Sequence, residues 1–371
     1  MAVTLADVAA RAGVSSATVS RVLNGNYPVA GSTRERVRRA VAELDYVVNG
    51  QARALAAASS DLVGVLVNDV ADPFFGLIAS ALQREIGAGP GNPPSGGKLA
   101  VVCNTGGSPE SELTYLTLLE RQRAAGVVLT GGAVEDGPHT AAVAARLARL
   151  ASSGTRIVLC GRPPLPDTAP GITTLTFDNR GGARRLTEHL LSLGHRRIGC
   201  VAGPPERSTT RHRLEGHYAA LAAHGLVPGD GDAVGSGDLP GQPVVYGGYD
   251  RSSGYDGALE LLRKDPSVTA VVASNDAAAL GVCAALRDRG LRVPGDISVA
   301  GFDDLPFSVD ASPALTTVRI PLQEAGARAG RLVLGRSAPP PGWVATVTTE
   351  LMVRESTAPP AHPARTARTD R

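Results

Sequence analysis

Residues 4–24 read TLADVAARAGVSSATVSRVLN, and the rest of the chain is arranged around that stretch. It parses as two short helices about a tight turn. Thr4 caps the first, and Asp7 three residues on completes a capping box. Leu5, Val8 and Ala9 then fall on one face at helical spacing. Gly13 stands where the first helix must stop, a place suited to a residue that tolerates positive φ. Ser15 caps the second helix, Val19, Val22 and Leu23 form its apolar stripe, and Asn24-Gly25 ends it. The outward face of the second helix carries Ser16, Ala17, Thr18, Ser20 and Arg21. These are small or hydrogen-bonding groups with no acid among them, the surface a helix needs to enter a major groove. Spacing alone fits any amphipathic helix pair equally well.

The full string D-V-A-x-x-A-G-V-S-x-x-T-V-S-R-V-L-N is far more specific. It closely resembles the helix-turn-helix of the Lac repressor/galactose repressor family of bacterial transcription regulators, and the resemblance extends over nearly the whole chain. It implies an α/β protein: a three-helix helix-turn-helix head with a hinge helix, then a two-lobe periplasmic-binding-protein-like (type I) effector domain. DNA contacts are expected from Thr4, Ser15, Ser16, Ala17, Thr18, Ser20, Arg21 and Asn24. In the family, Leu55 holds the place of a leucine that wedges between base steps in the minor groove. A flexible linker with an incidental leucine is the plain alternative.

A chain of 371 residues is too long for one ordinary core, and 43% hydrophobic residues can fill two or three. No apolar run approaches the roughly eighteen residues of a membrane span. The start lacks the basic and apolar segments of a signal peptide, so a cytoplasmic protein is expected. Cys103, Cys160, Cys200 and Cys283 lie far apart in apolar runs without a CxxC pair; reduced core thiols are expected, with no metal site and no cofactor. Net charge is only +2, which excludes coating nucleic acid by bulk charge. The balance is local. Residues 1–60 hold seven arginines against four acids, a net of +3 that a dimer doubles.

Residues 32–46 (STRERVRRAVAELDY) read as a third helix, with Ser32 and Glu35 as a capping box and Val37, Ala40, Val41 and Leu44 as its stripe. Arg34, Arg36, Arg38 and Arg39 suit phosphates or a solvated face. From Asp61 onward, short apolar runs such as LVGVLV (62–67), GVVLT (126–130) and AVVAS (270–274) alternate with helical patterns. Continuous apolar strands separated by helices mean parallel sheets covered on both faces. The expected boundaries are a head at 1–48, a hinge at 49–60, and an effector and dimerisation domain at 61–356. Within that domain, lobe 1 takes 61–174 and 304–334, and lobe 2 takes 175–303 and 335–356. The Gly/Pro-rich insertion 87–98 reads as a surface loop, and the Pro/Ala/Arg-rich tail 357–371 as disordered.

A ligand held between two lobes needs polar groups converging from the strand ends and an apolar platform. The turns after the strands supply them. Asp72 can accept from a hydroxyl, and Phe74 and Phe75 offer stacking faces, although one of the two phenylalanines is expected to be core. The resemblance assigns effector contacts to Arg207, Thr209 and Arg213 in PERSTTRHRLEG, an aromatic lid to Tyr249, and a polar pair to Asn275 and Asp303. Asp276 or Asp304 is expected to cap a following helix. An opposed Arg and Asp with aromatic faces suits a neutral polyhydroxylated ligand, because sugar hydroxyls both donate and accept. A purine or nucleoside acting as co-repressor is the competing effector. Catalytic patterns such as GxSxG, a P-loop or HExxH are absent, and a secreted sugar-transport component does not fit the helix-turn-helix start. The expectation is a homodimeric repressor of carbohydrate-related genes that binds a palindromic operator in double-stranded DNA, responds to a sugar, has no membrane association, and catalyses nothing.

Overall fold

The structure is a computed structural model that describes residues 3–24, 28–46, 60–87, 98–135, 138–165, 171–227 and 242–361. Contacts divide the chain after Asp61 into a small head and a large body. Leu55, most of the 49–60 hinge, residues 88–97 of the insertion and residues 362–371 of the tail lie outside the described residues.

In the head, α1 spans Leu5–Ala12, α2 Ser16–Asn24 and α3 Gly31–Glu43. The first two obey their local signals. Asp7 N–H donates to Thr4 Oγ1 at 3.4 Å while Thr4 N–H donates back to the Asp7 carboxylate at 2.8 Å. Gly13 sits at φ 63°, so the chain turns through a conformation that costs a side-chain residue free energy. Thr18 N–H donates to Ser15 Oγ at 3.2 Å, capping α2. The third helix departs from expectation. It begins at Gly31 with Ala30 as its cap residue and no side-chain cap bond, so Ser32 and Glu35 lie inside the helix and form no capping box. Val8, Ala9, Ala12, Val19, Val37 and Ala40 are buried together as a miniature core.

The body holds two parallel sheets. The first contains β1 (Leu62–Val67), β2 (Leu99–Asn104), β3 (Gly126–Thr130), β4 (Arg156–Cys160), β5 (Ile172–Phe177) and β11 (Val344–Val347), in the order β11-β5-β4-β3-β1-β2. The second contains β6 (Ile198–Ala202), β7 (Val244–Tyr246), β8 (Ala270–Ala273) and β9 (Ser298–Ala300), in the order β7-β6-β8-β9. Strands β3 and β6 are buried at every residue, as sheets with helices on both faces require. Helices α4 (Pro73–Gly87), α5 (Pro109–Arg121) and α6 (Pro138–Ser152) serve the first sheet. Helices α7 (Asn179–Ser192), α8 (Ser208–Ala223), α9 (Arg251–Lys264) and α10 (Asp276–Asp288) serve the second. A short α11 (Phe307–Asp310) follows. Strand β10 (Thr317–Arg319) then pairs antiparallel with β12 (Glu350–Met352), and between them α12 (Leu322–Val333) packs on α4.

The lobe boundaries expected from sequence need correction. Residues 304–319 stay with lobe 2, because Thr316 bridges Ala300 and Arg319 bridges Asp303. Lobe 1 receives β5 through Phe177 and takes back β11, which was expected in lobe 2. The chain therefore crosses at 177–179, at 320–322 and at 347–350. Short strands at the crossings carry too little pattern to be assigned from sequence. The tail is also ordered further than expected. Ser298 and Ala358 exchange two 3.0 Å hydrogen bonds, and His195 Nε2 donates to Ala358 O at 2.9 Å. Residues 357–361 thus pack on lobe 2 as part of its fold.

Helices α9 and α10 approach so closely that only hydrogen fits between their backbones. A Cβ on Gly281 would lie 2.0 Å from Arg251 O, and one on Gly254 would lie 2.0 Å from Ala278 O. Backbone cannot rotate away as a side chain can. Gly281→Ala should therefore lower the unfolding free energy of the body by about 2–3 kcal/mol, the upper part of the usual overpacking cost. Denaturant unfolding checks this; an unchanged midpoint would mean that the helices slide apart freely.

Candidate ligand site and nucleic-acid interface

A cavity of about 500 Å³ lies between the two lobes at the C-terminal ends of their strands. All nine residues proposed from sequence line it: Asp72, Phe74, Phe75, Arg207, Thr209, Arg213, Tyr249, Asn275 and Asp303.

Lobe 1 supplies the apolar wall. Phe74 and Phe75, in the first turn of α4, are both buried and meet edge to face with centroids 4.9 Å apart. Phe177 completes a cluster, 6.3 Å from Phe74. One of the two was expected to be core; both belong to the core cluster, and both also line the cavity. Gly131 makes room for Phe75, and a Cβ there would lie 2.7 Å from its ring. One Asp72 oxygen accepts from Phe74 N–H at 2.9 Å, which tethers the helix start; burial raises the Asp72 carboxyl against that hydrogen bond.

Lobe 2 supplies the polar wall, centred on α8. Arg213 donates through Nε to Asn179 Oδ1 at 2.9 Å, through Nη1 to Ser274 O, and through Nη2 to Asp303 Oδ1 at 2.8 Å. Its guanidinium lies 3.7 Å above the Phe302 ring centre, a cation–π contact inside a desolvated site. Five N–H groups and three bonds leave two donors over. Asp303 is 3% exposed, and among the described residues its Oδ2 takes no hydrogen bond. The pair thus presents free donors and a free acceptor side by side. Burial pushes the Asp303 carboxyl up to about 7, the Arg213 charge pulls it back down, and the nearby Asp276 and Asp72 push it up further.

The remaining residues are more occupied than expected. Asn275 caps α10 by accepting from Ala278 N–H at 2.9 Å and donates to Tyr249 O at 2.8 Å, so it chiefly fixes the backbone at Tyr249. Tyr249 hydroxyl shares a 2.6 Å hydrogen bond with Thr210. Arg207 reaches across the cleft to Gly132 O at 3.3 Å and Gly107 O at 2.5 Å, and burial lowers its pKa. It is therefore neither solvent-facing nor fully free for a ligand. Asp276 caps nothing; its carboxylate accepts from Leu305 N–H, Ser308 Oγ and Thr317 Oγ1, and burial raises it to about 6. Asp304 likewise caps no helix.

Sequence reasoning missed Asn68, Asp69, Phe177, Asn179, Asp250 and Arg251, which also line the cavity. Asn68 and Asn179 had a usable signal, a polar residue directly after an apolar strand or its turn. Phe177 had none, because it closes an ordinary β run. Cys160 and Cys200 are fully buried with thiols pushed up to about 12, and no group of residues able to hold a metal occurs among the described residues.

In the head, Ser15, Ser16, Ala17 and Arg21 are exposed and Thr18 and Ser20 half-exposed on one side of α2, with Val19 buried on the other. Thr4 is exposed at the start of α1. The face is small, polar and free of acids, as major-groove entry requires.

The family model "Bacterial regulatory proteins, lacI family" matches residues 4–49, and the "Periplasmic binding protein-like domain" matches residues 187–357. The HTH-type transcriptional regulator GalR of Escherichia coli (strain K12) is 35% identical over 333 residues, spanning 89% of this chain and 88% of GalR. The chain belongs to the lacI family. Among solved structures, the transcriptional regulator CelR–cellobiose complex aligns at TM-score 0.64 and 32% identity, over 95% of this chain and 99% of that one. The lac repressor dimer bound to operator and the anti-inducer ONPF aligns at TM-score 0.73 and 27% identity, over 96% of this chain and 100% of that one. Like its relatives, this lacI-family chain is a DNA-binding transcription regulator with a helix-turn-helix head and a two-lobe effector-binding body. Among its described residues no helix is long and apolar enough to cross a membrane.

Asp303 gives this lacI-family site a pH signature. Only the ionised carboxylate offers acceptors alone and keeps its charge opposite Arg213, so affinity for a hydroxyl-bearing ligand should be highest above the raised pKa and weaken as pH falls through it. Binding of a neutral ligand should strengthen several-fold between pH 6 and pH 8 in calorimetry, and Asp303→Asn should flatten that dependence.

Proposed function

We propose that this regulator is a cytoplasmic, homodimeric repressor that an uncharged sugar of about disaccharide size releases from a palindromic operator. The observation that carries the sugar assignment is the Arg213–Asp303 pair, which by count of its bonds keeps two N–H donors and one carboxylate oxygen over, and which lines a cavity whose other wall is Phe74, Phe75 and Phe177. Sugar hydroxyls donate and accept at once, and their C–H faces pack on aromatic rings. Similarity to a protein solved as a cellobiose complex supports the class and makes cellobiose the first probe. A nucleoside would stack on the same rings but leaves the paired donor and acceptor less well used.

In the head, phosphate contacts set register while Ser16, Ala17 and Arg21 read base edges, helped by Thr4, Ser15, Thr18, Ser20 and Asn24. Leu55 kinks the operator centre from the minor groove. Likeness to a lac repressor dimer on its operator supports two heads per site. The protein's output is operator occupancy, not turnover.

Calorimetry with cellobiose and adenosine separates the two effector classes; tight adenosine binding without cellobiose binding would reverse the assignment. Removing either partner strands the other in a buried site, so Arg213→Ala or Asp303→Ala should weaken sugar binding by about 2–4 kcal/mol while operator affinity without sugar stays near normal. Leu55→Ala should weaken operator binding by roughly 1–3 kcal/mol, the scale of a lost base-step wedge, with sugar binding intact. Gel-shift and bending assays check the Leu55 variant, and unchanged affinity with unchanged bending would reduce Leu55 to linker.

A further inference from the structure

Asp304 follows the ligand-facing Asp303 directly, yet its own carboxylate is committed elsewhere. Its side chain is 6% exposed. Oδ2 accepts from Arg319 Nε at 2.7 Å, and Oδ1 accepts from Arg354 Nη2 at 2.5 Å. Arg319 ends β10, just before the chain leaves lobe 2 for α12. Arg354 follows β12, just after the chain has returned from β11. One carboxylate therefore holds the flanks of two lobe crossings.

Neighbouring contacts fix the same node. Arg354 also donates through Nη1 to Leu315 O at 2.8 Å and through its backbone N–H to Thr316 Oγ1 at 2.9 Å. Glu350 lies 3.8 Å from Arg319, and the buried Asp276 accepts from Thr317 Oγ1, which in turn lies 3.4 Å from Asp304 N. The crossing at 177–179 is joined to the one at 347–350, because Asp178 N–H donates to Val347 O at 3.1 Å and Thr349 Oγ1 donates to Asp178 O at 3.2 Å.

The backbone at this point is strained. Asp303 and Asp304 stand at φ 107° and 55°, where side-chain residues are rare and cost free energy. Asp303 N–H donates to Val318 O at 2.8 Å, which pins the first of them to β10. Successive carboxylates are thereby delivered to two different places, one to Arg213 at the cavity and the next to the arginines of the crossings. A conformation this disfavoured persists only when its surroundings over-determine it.

We infer that Asp304 is the positioning residue that couples the effector site to the lobe crossings: it transmits a ligand-driven displacement of Asp303, through Arg319 and Arg354, to the angle between the lobes. This rests on the effector role proposed for Asp303. The two residues share one peptide unit in a strained turn pinned to β10, so a ligand that shifts the Asp303 backbone loads the Asp304 ion pairs. A switch needs two packed arrangements that the ligand distinguishes, and ion pairs at a hinge supply such a contact.

Asp304→Asn in the full chain tests this, with three readouts. Without any ligand, backbone amides at 317–320 and 350–354 should exchange with deuterium at least tenfold faster than in the parent, while those of β6 and β8 stay unchanged. Cellobiose affinity by calorimetry should stay within threefold. Cellobiose-driven release of a duplex selected by the protein from random DNA should fall from tenfold or more to less than twofold. A merely structural role would weaken sugar and DNA binding together and would overturn the inference, as would parental release. If cellobiose does not bind the parent, the sugar assignment fails separately, and unchanged exchange at the crossings still overturns the role of Asp304. Should Asp304→Asn fail to fold, the half-exposed Arg319→Met carries the same readouts, with exchange raised at 317–320 and release reduced at least threefold.

Discussion

Everything in the body answers to one buried ion pair. Arg213 and Asp303 sit with side chains only 12% and 4% exposed, and two charges so far from water are tolerated only when each is closely paired. Much of lobe 2 is arranged to provide that pairing. Asn179 and the Ser274 carbonyl take two Arg213 donors, Phe302 lies under its guanidinium, and a strained turn brings Asp303 up to it. Asp303 projects from the turn after β9 and Arg213 from the second turn of α8, which follows β6, so both come from the C-terminal ends of parallel strands, where open α/β sheets leave their ligand crevice. A pair held this way keeps hydrogen-bonding capacity unused at the cavity, and on the proposed function that surplus is what a ligand that both donates and accepts would engage.

How much of this was visible beforehand depended on the length of the signal. The helix pair at 4–24 was legible because capping, turn and stripe all pointed the same way, and Thr4, Gly13 and Ser15 behave as local chemistry dictates. The long buried strands were legible because five or six apolar residues in a row have few other uses. The three crossings were not. Strands β10, β11 and β12 are three or four residues long, and which sheet they join is decided by tertiary pairing that no local period encodes. The ligand-site residues were found from their positions after strands, but their division of labour was hidden. Asn275 and Arg207 proved to be engaged with Tyr249 and with lobe 1 backbone, because a side chain's partners are chosen by residues distant in sequence. Ser32 misled for a simpler reason: the helix starts one residue earlier, at Gly31.

Contacts across the cleft bear on how the protein switches. Arg207 reaches the carbonyls of Gly107 and Gly132, Ser208 N–H donates to Ala133 O at 2.9 Å, and Arg211 pairs with Glu135 through two 2.6 Å bonds. The lobes are thus held on the side of this clasp as well as by the three crossings. A ligand shifts such a two-state body only by the difference in its affinity for the two arrangements. Moving a population from 1:99 to 99:1 takes about 5.5 kcal/mol of differential affinity, so a ligand must meet the ion pair and the aromatic wall much better in one arrangement of the lobes than in the other.

The most direct measurement is a crystal structure of the protein bound to the sugar that binds it most tightly. One ligand hydroxyl should lie within hydrogen-bond distance of Asp303 Oδ2 and another within reach of the unused Arg213 N–H groups, with a ring face against Phe74, Phe75 or Phe177. A sugar lodged elsewhere, or one in this cavity with the Arg213–Asp303 pair left untouched, would contradict the account.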